Sequence, residues 1–163
     1  MSTIHFPEDL MIIPAIQART GAGAAINGTA VSLKNVQMLW AVVNINTVGT
    51  SAAVAIVPQT DTLVAFGSGA ALTSVVPIWV NADITTGAQD LARATDAVNY
   101  TTVADALFKQ VIFQIDPALL DAGEDCFRIR ITTIAATDFI SCDYLIQPRY
   151  ASTVANQPSV LVD

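Results

Sequence analysis

The side chains that could carry catalysis are few in this chain. A serine or cysteine nucleophile needs a base within hydrogen-bonding reach, and the only histidine among the 163 residues is His5. His5 lies near the N-terminus, outside the region whose pattern indicates a sheet, so we interpret it as a surface residue. We therefore predict that the protein is not an enzyme and has no catalytic residues.

Metal and cofactor chemistry has equally little support. A zinc site needs four ligands, whereas the chain offers one histidine and two cysteines, Cys126 and Cys142. The turn at residues 121–125 is acidic, but its spacing is not that of a twelve-residue calcium loop. The glycines at residues 67–70 are not followed by the Gly-Lys-Ser/Thr of a phosphate loop. We predict no metal and no cofactor.

The composition points towards a protein partner. The chain is 53% hydrophobic and only 13% charged, which is about half of the usual charged share of roughly 25%. A monomer normally covers itself with more charge, so we expect another protein to cover part of this surface. A neutral-polar surface rich in Ala, Thr and Val is the alternative interpretation.

The net charge of −7 disfavours two other partners. Nucleic acid and anionic membranes both attract basic surfaces, and the five arginines are scattered along the chain. No apolar run reaches the roughly 18–20 residues that span a bilayer, and the N-terminus lacks the basic region of a secretory signal. We expect synthesis and assembly in a cytoplasm, with no nucleic-acid or membrane partner.

The elements that would position any site are strands. Residues 111–150 hold three runs of alternating apolar residues separated by turns, which predicts a three-stranded antiparallel meander. Its last hairpin would place Ile131 opposite Cys142 and Arg130 opposite Asp143, and would leave both cysteines free. For the whole chain, the short strands predict an all-β antiparallel sandwich or jelly roll of about eight strands.

The domain organisation follows from the same pattern. We predict an N-terminal arm at residues 1–30, a β-sandwich domain at 31–150 and a C-terminal tail at 151–163. Pro7 and Pro14 interrupt the apolar clusters of the arm, which would either dock on a neighbouring subunit or fold back over its own sheet. If it docks, a chain without residues 1–20 should remain folded.

Two tryptophans and one long connection complete the pattern. Residues 36–46 and 51–57 predict a hairpin whose first strand is covered on both sides, with Trp40 in the core. Pro77 places the strand of Trp79 at an edge or a bulge, which favours an interface role for Trp79 with core as the alternative. Residues 81–106 form a candidate functional loop. The predicted partner-binding residues are Phe6, Leu10, Ile12, Ile13, Ile16 and Trp79.

A series of short motifs resembles those of small β proteins among the virion components of tailed phages. They are Val-Ser-Leu-Lys-Asn at 31–35, Gln-Thr-Asp at 59–61, a Gly-rich step at 67–72, Ile-Trp at 78–79, Val-Ile-x-x-x-Asp at 111–116, Leu-Asp-x-Gly-x-Asp-Cys-x-Arg-x-Arg at 120–130 and Tyr-x-x-x-Pro-Arg-Tyr at 144–150. The Pro-interrupted arm and Pro58 depart from the family pattern.

The resemblance implies a capsid cement or decoration subunit on the outer surface of the virion. Its partners would be the major capsid protein and further copies of itself, with a homotrimer favoured. A tail or neck component is the alternative of the same kind. From another class, a ligand- or carbohydrate-binding β-sandwich would use Trp79, Tyr100 and the long loop as a stacking platform.

Overall fold

The computed structural model describes residues 9–49, 52–86, 90–104, 107–132 and 134–150. These residues form twelve strands and two short 3-10 turns, Ile84–Thr86 and Pro117–Leu119. In chain order the strands are β1 Met11–Thr20, β2 Ile26–Asn27, β3 Val31–Ser32, β4 Val36–Asn46, β5 Ala55–Asp61, β6 Ala70–Ala71, β7 Ile78–Asn81, β8 Ala92–Arg93, β9 Tyr100–Thr101, β10 Phe108–Ile115, β11 Cys126–Ile131 and β12 Phe139–Pro148.

The strands form two antiparallel sheets. Sheet A has six strands in the order β1-β12-β4-β10-β7-β8. Sheet B follows the order β2-β11-β5-β6, with β3 also paired to β11 and β9 to β5. The predicted all-β antiparallel sandwich is therefore confirmed, and the helical content is limited to the two short turns in the described part of the chain.

The core lies between the two sheets and follows the period-two pattern of the strands. In β4 the residues from Leu39 to Ile45 alternate between buried and half-buried positions, and Val43 is fully buried. Sheet B contributes Phe127 and Ile129 from β11, both without solvent exposure. Each such side chain contributes about 1.5–3 kcal/mol through its removal from water, so the core is where most of the stability resides.

The predicted meander is wrong in its pairing. β11 belongs to sheet B and β12 to sheet A, so Ile131 pairs with Ile56 and Cys142 with Val43. Arg130 and Asp143 are likewise in different sheets. Two consecutive strands with alternating apolar residues can pair as a hairpin in one sheet or can lie in opposite sheets. Both arrangements need only one apolar face on each strand, so the alternation does not distinguish them. The pattern specified which residues face inwards but not which strand lies alongside.

The same correction applies to the hairpin predicted for residues 36–46 and 51–57. β4 is a central strand of sheet A, between β12 and β10, whereas β5 is a central strand of sheet B. The connection between them therefore crosses the sandwich instead of making a tight turn. The long strands β4 and β5 are adjacent in the sequence but not in a sheet, because β4 pairs with β10 and β5 with β11, both far along the chain.

The arm predicted at residues 1–30 is corrected over the part that the structure describes. β1 pairs along its length with β12 as the edge strand of sheet A, and β2 pairs with β11 in sheet B. Ala15 and Ile16 are buried in the core, with 5% and 4% of their surface exposed. The chain therefore folds back over its own sheet from Met11. Residues 1–8 and the predicted tail at 151–163 lie outside the described residues.

Both cysteines are free, as predicted, and both are fully buried, in different sheets. Burial raises the pKa of the Cys142 thiol far above its ordinary value, and the neighbouring Asp143 carboxylate adds to the shift. The thiolate is the reactive species, so we expect the native protein not to react with a disulfide reagent at pH 8. Two thiols per chain should react once the protein is unfolded in guanidinium. Rapid reaction of the native protein would contradict this burial.

Candidate partner-binding face

The outward surfaces of the two sheets differ in polarity. Along sheet B the outward positions are mostly polar: Arg130 is exposed, and the Arg128 Nε donates a hydrogen bond of 2.9 Å to the Gln59 Oε1. The Arg128 guanidinium also lies 4.2 Å from the ring centre of Phe66. This is the usual arrangement of an antiparallel sheet with one solvated face. Sheet A departs from it.

The outer face of sheet A is apolar across most of its width. We define this face by the outward positions of β1, β12, β4, β10, β7 and β8 in two register rows. One row is Ile12, Leu145, Trp40 and Gln114, and the other is Pro14, Asp143, Val42, Ile112, Trp79 and Arg93. Most of these side chains are half-buried, and they point away from the core.

Trp79 is held in place by its neighbour on β8. The Arg93 guanidinium lies 4.7 Å from the ring centre of Trp79, a distance suited to a cation–π contact. The Arg93 Nη2 also forms an ion pair of 2.7 Å with the Asp96 Oδ1. Both partners of this pair are nearly half-exposed, so the pair contributes at most about 1 kcal/mol to stability. Its effect is to orient the guanidinium over the indole ring.

The end of the face near β12's first residue is lined by polar groups and two aromatic rings. The Gln110 Nε2 donates a hydrogen bond of 2.9 Å to the Asn44 Oδ1 on the neighbouring strand. Beyond them, Phe108 and Phe139 flank Asn46 in register and are 50% and 51% exposed. A groove of about 180 Å³ opens between these rings. Exposed phenylalanines beside a groove add to the apolar area that water contacts.

The predicted partner-binding residues fall in three places. Ile12 and Trp79 lie on the outer face of sheet A, and Leu10 lines a groove of about 150 Å³ beside Trp40. Ile13 is half-buried and packs against the core, and Ile16 is a core residue. Ile16 is therefore not available to a partner, which corrects its assignment. Phe6 lies outside the described residues.

Trp40 is the clearest residue that the sequence interpretation misplaced. It was predicted in the core, but it is half-buried on the outer face, between Leu145 and Gln114 in register. The sequence of β4 indicated an apolar outer face, because this strand is apolar at outward as well as inward positions. That pattern was interpreted as a strand covered on both sides within one chain. The structure shows the second side uncovered by the described residues.

The ligand platform suggested as an alternative is not assembled. Trp79 points outward from sheet A, paired with the outward Ile112. Tyr100 lies in β9 of sheet B and packs against the core. The two rings are therefore on opposite sides of sheet A. Residues 81–106, predicted as one long loop, contain β8 and β9 and pass from one sheet to the other.

Among the described residues, no group of three or more His, Cys, Asp and Glu side chains is arranged to hold a metal ion. In that same part of the chain, no helix has the length and apolar character needed to cross a membrane. The outer face of sheet A is the candidate site because its outward positions are apolar across neighbouring strands.

The fold and this face define an antiparallel β-sandwich with one apolar outer sheet face. No protein-family model matches the chain, and no curated protein matches it. Among solved structures, the crystal structure of SPBc2 prophage-derived protein YomS is similar, with 10% sequence identity and a TM-score of 0.45. The likeness covers 89% of this chain and 98% of that one. At this TM-score it supports no conclusion about function.

Proposed function

We propose that this protein is a structural subunit of a tailed-phage particle, of the capsid cement or decoration kind. The observation that carries the proposal is the apolar outer face of sheet A. A soluble protein that works alone gains nothing from an indole, a leucine and a valine aligned across the outside of a sheet. A subunit that is covered in its assembly removes that surface from water.

The energetics suit a repeated, individually modest contact. Covering apolar surface contributes roughly 25 cal/mol per Å², and part of this is offset by the loss of motional freedom on binding. A shell presents many equivalent sites, so a weak contact repeated over neighbouring subunits gives high overall avidity. Stabilisation of a shell therefore needs no catalytic group, which agrees with a chain whose motifs show none.

The motif resemblance to tailed-phage virion proteins supports the same proposal from the sequence side. The proposed partners are the major capsid protein and further copies of this chain, on the outer surface of the virion. The trimer expected from the sequence stays a prediction. A tail or neck component would use the same apolar face, so the location within the particle is the point that an experiment must decide.

The test compares two matched valine substitutions. Val42 and Val57 are both half-buried and outward-facing on central strands, Val42 in sheet A and Val57 in sheet B. We expect Val42→Glu to lower the occupancy of gradient-purified particles at least tenfold, because it places a charge in the covered face. Val57→Glu should leave occupancy unchanged. Both variants should melt within a few degrees of the parent protein.

Two outcomes would contradict the proposal. If the intact protein is absent from purified particles, it is not a virion subunit. If Val42→Glu and Val57→Glu occupy particles equally, the outer face of sheet A is not the surface that the assembly covers. Protein found only on tails, with bare capsids, would move the assignment to the alternative of the same class.

A further inference from the structure

We infer that the outer face of sheet A binds a second copy of this chain, in a twofold contact whose axis runs along β10 through Ile112. The inference rests on the proposed function only in that both require this face to be covered. It goes further by naming the occupant and the register. Two sheets packed face to face are related by a twofold axis that lies between them, in the plane of the contact.

The inference is carried by the two charged side chains in the register row that contains Ile112. Across the sheet this row runs Pro14, Asp143, Val42, Ile112, Trp79 and Arg93. Its two charged side chains have opposite signs, and each lies two strands from Ile112, which is about 10 Å at the usual strand spacing. An axis along β10 therefore brings Asp143 opposite Arg93 of the partner subunit, twice in one dimer. Such charge complementarity fixes the register of a contact.

Two further pairs of positions are compatible with the same axis. Val42 and Trp79 are each one strand from β10, so the valine of one copy meets the indole of the other. One row along, Asn44 and Asn81 stand in the same relation around Gln110. In the first pair an apolar group meets an apolar group, and in the second an amide meets an amide. If the pairing between the two copies were shifted by one strand, Asp143 would lie opposite Trp79 of the partner subunit instead of Arg93.

The axis also fixes how much of the face is covered. The five strands from β12 to β8 have counterparts about β10, whereas β1 lies outside the contact. Because β7 has four residues and β8 has two, the overlap is on the order of 300 Å² per partner at the usual strand spacing, which is the size of a weak contact. A threefold contact joins two different surfaces, so a trimer would use other parts of the molecule and does not compete with this one.

A charge exchange tests the register directly. We expect the intact protein to sediment as a dimer at roughly 100 μM, because the contact is small. Asp143→Arg and Arg93→Asp should each raise the dimer dissociation constant roughly 100-fold, because each places like charges opposite one another. The double variant Asp143→Arg/Arg93→Asp should dimerise as the parent does. Arg130→Asp, on the outer face of sheet B, is the control and should also dimerise.

A cross-link at the axis provides a second measurement, and its variants change no charged residue. Ile112 would face its own symmetry mate, and packed sheets lie about 10 Å apart, which is too far for a disulfide. Ile112→Cys should therefore be joined into dimers by a bismaleimide of about 10 Å reach, whereas Val57→Cys should not. The native cysteines are buried and leave the background low.

The possible results separate this inference from the proposed function. A monomeric intact protein, a failure of the double variant to recover dimers, or equal cross-linking at positions 112 and 57 would each overturn the twofold contact. If a monomeric protein still occupies particles in a way that Val42→Glu abolishes, the proposed function stands and the face binds another partner. Absence from particles together with the predicted dimerisation would remove the proposed function and keep the dimer.

Discussion

Replacing Tyr144 by Ala is expected to lower the free energy of unfolding by about 3–5 kcal/mol, the range found for large buried aromatic residues. Tyr144 in sheet A is fully buried and reaches across the sandwich to sheet B. Its hydroxyl oxygen accepts a hydrogen bond of 2.8 Å from the Ile129 backbone N–H, and its ring meets Phe127 edge-on at 5.6 Å. The residue thus joins the two sheets through both packing and a buried hydrogen bond.

The variant Tyr144→Phe isolates the hydrogen bond. It leaves the Ile129 N–H without that acceptor inside the core, so we expect a loss of about 1–3 kcal/mol in urea unfolding. Tyr150→Phe, at a site that is 57% exposed, should change stability little. A Tyr144→Phe variant as stable as the parent would show that the hydrogen bond contributes nothing measurable.

The same tyrosine makes a prediction for alkaline pH. Burial raises the pKa of Tyr144 well above its ordinary value, and the neighbouring Cys142 thiol adds to the shift. Because the folded pKa is the higher one, the stabilising contribution is complete below the unfolded value near 10 and is lost as pH rises towards the folded value. Tyr144→Phe should flatten this alkaline decline, as measured by urea unfolding between pH 8 and 11.

Deleting residues 1–20 is expected to destabilise the domain by at least about 3 kcal/mol, from the buried apolar area that is lost. This reverses the expectation drawn from the sequence. The deletion removes β1, takes Ala15 and Ile16 out of the core, and exposes the hydrogen-bonding edge of β12. An open edge strand also promotes aggregation. Thermal melting and light scattering would measure both effects.

A shorter deletion provides the control. Removal of residues 1–8 keeps β1 and therefore should leave the melting temperature close to that of the full chain. If the protein without residues 1–20 melted as the full chain does, the pairing of β1 with β12 would not contribute to stability. If the protein without residues 1–20 was also as soluble as the full chain, the edge of β12 would not need β1 to prevent aggregation.

Much of the fold was predictable because period-two alternation reports which residues face a core. It correctly indicated an all-β sandwich, and the inward positions of β11 and β12 were assigned as an apolar set. Pairing was not predictable, because an alternating strand such as β11 fits any neighbour with a matching face. Here one neighbour of β11 is β5, which is about seventy residues earlier in the chain, as the pairing of Arg128 with Gln59 shows.

The candidate site was predicted only in part, for a related physical reason. Low charge indicated that some surface is covered, and Trp79 was singled out from Pro77. The strand β4 carried a second signal in Trp40 and Val42, but apolar residues on both faces are equally typical of a buried strand. Only the position of β4 in sheet A, with its outer side uncovered by the described residues, distinguishes the two interpretations.

The central claim is that the outer face of sheet A is covered in the assembled protein, and tryptophan fluorescence tests it most directly. The chain has two tryptophans, Trp40 and Trp79, and both lie on this face. Quenching by acrylamide should be strong for dilute, dissociated protein and should fall several-fold on assembly, with a shift of the emission to shorter wavelength. Equal quenching of the dissociated and assembled protein would show that the face stays in water and would contradict the claim.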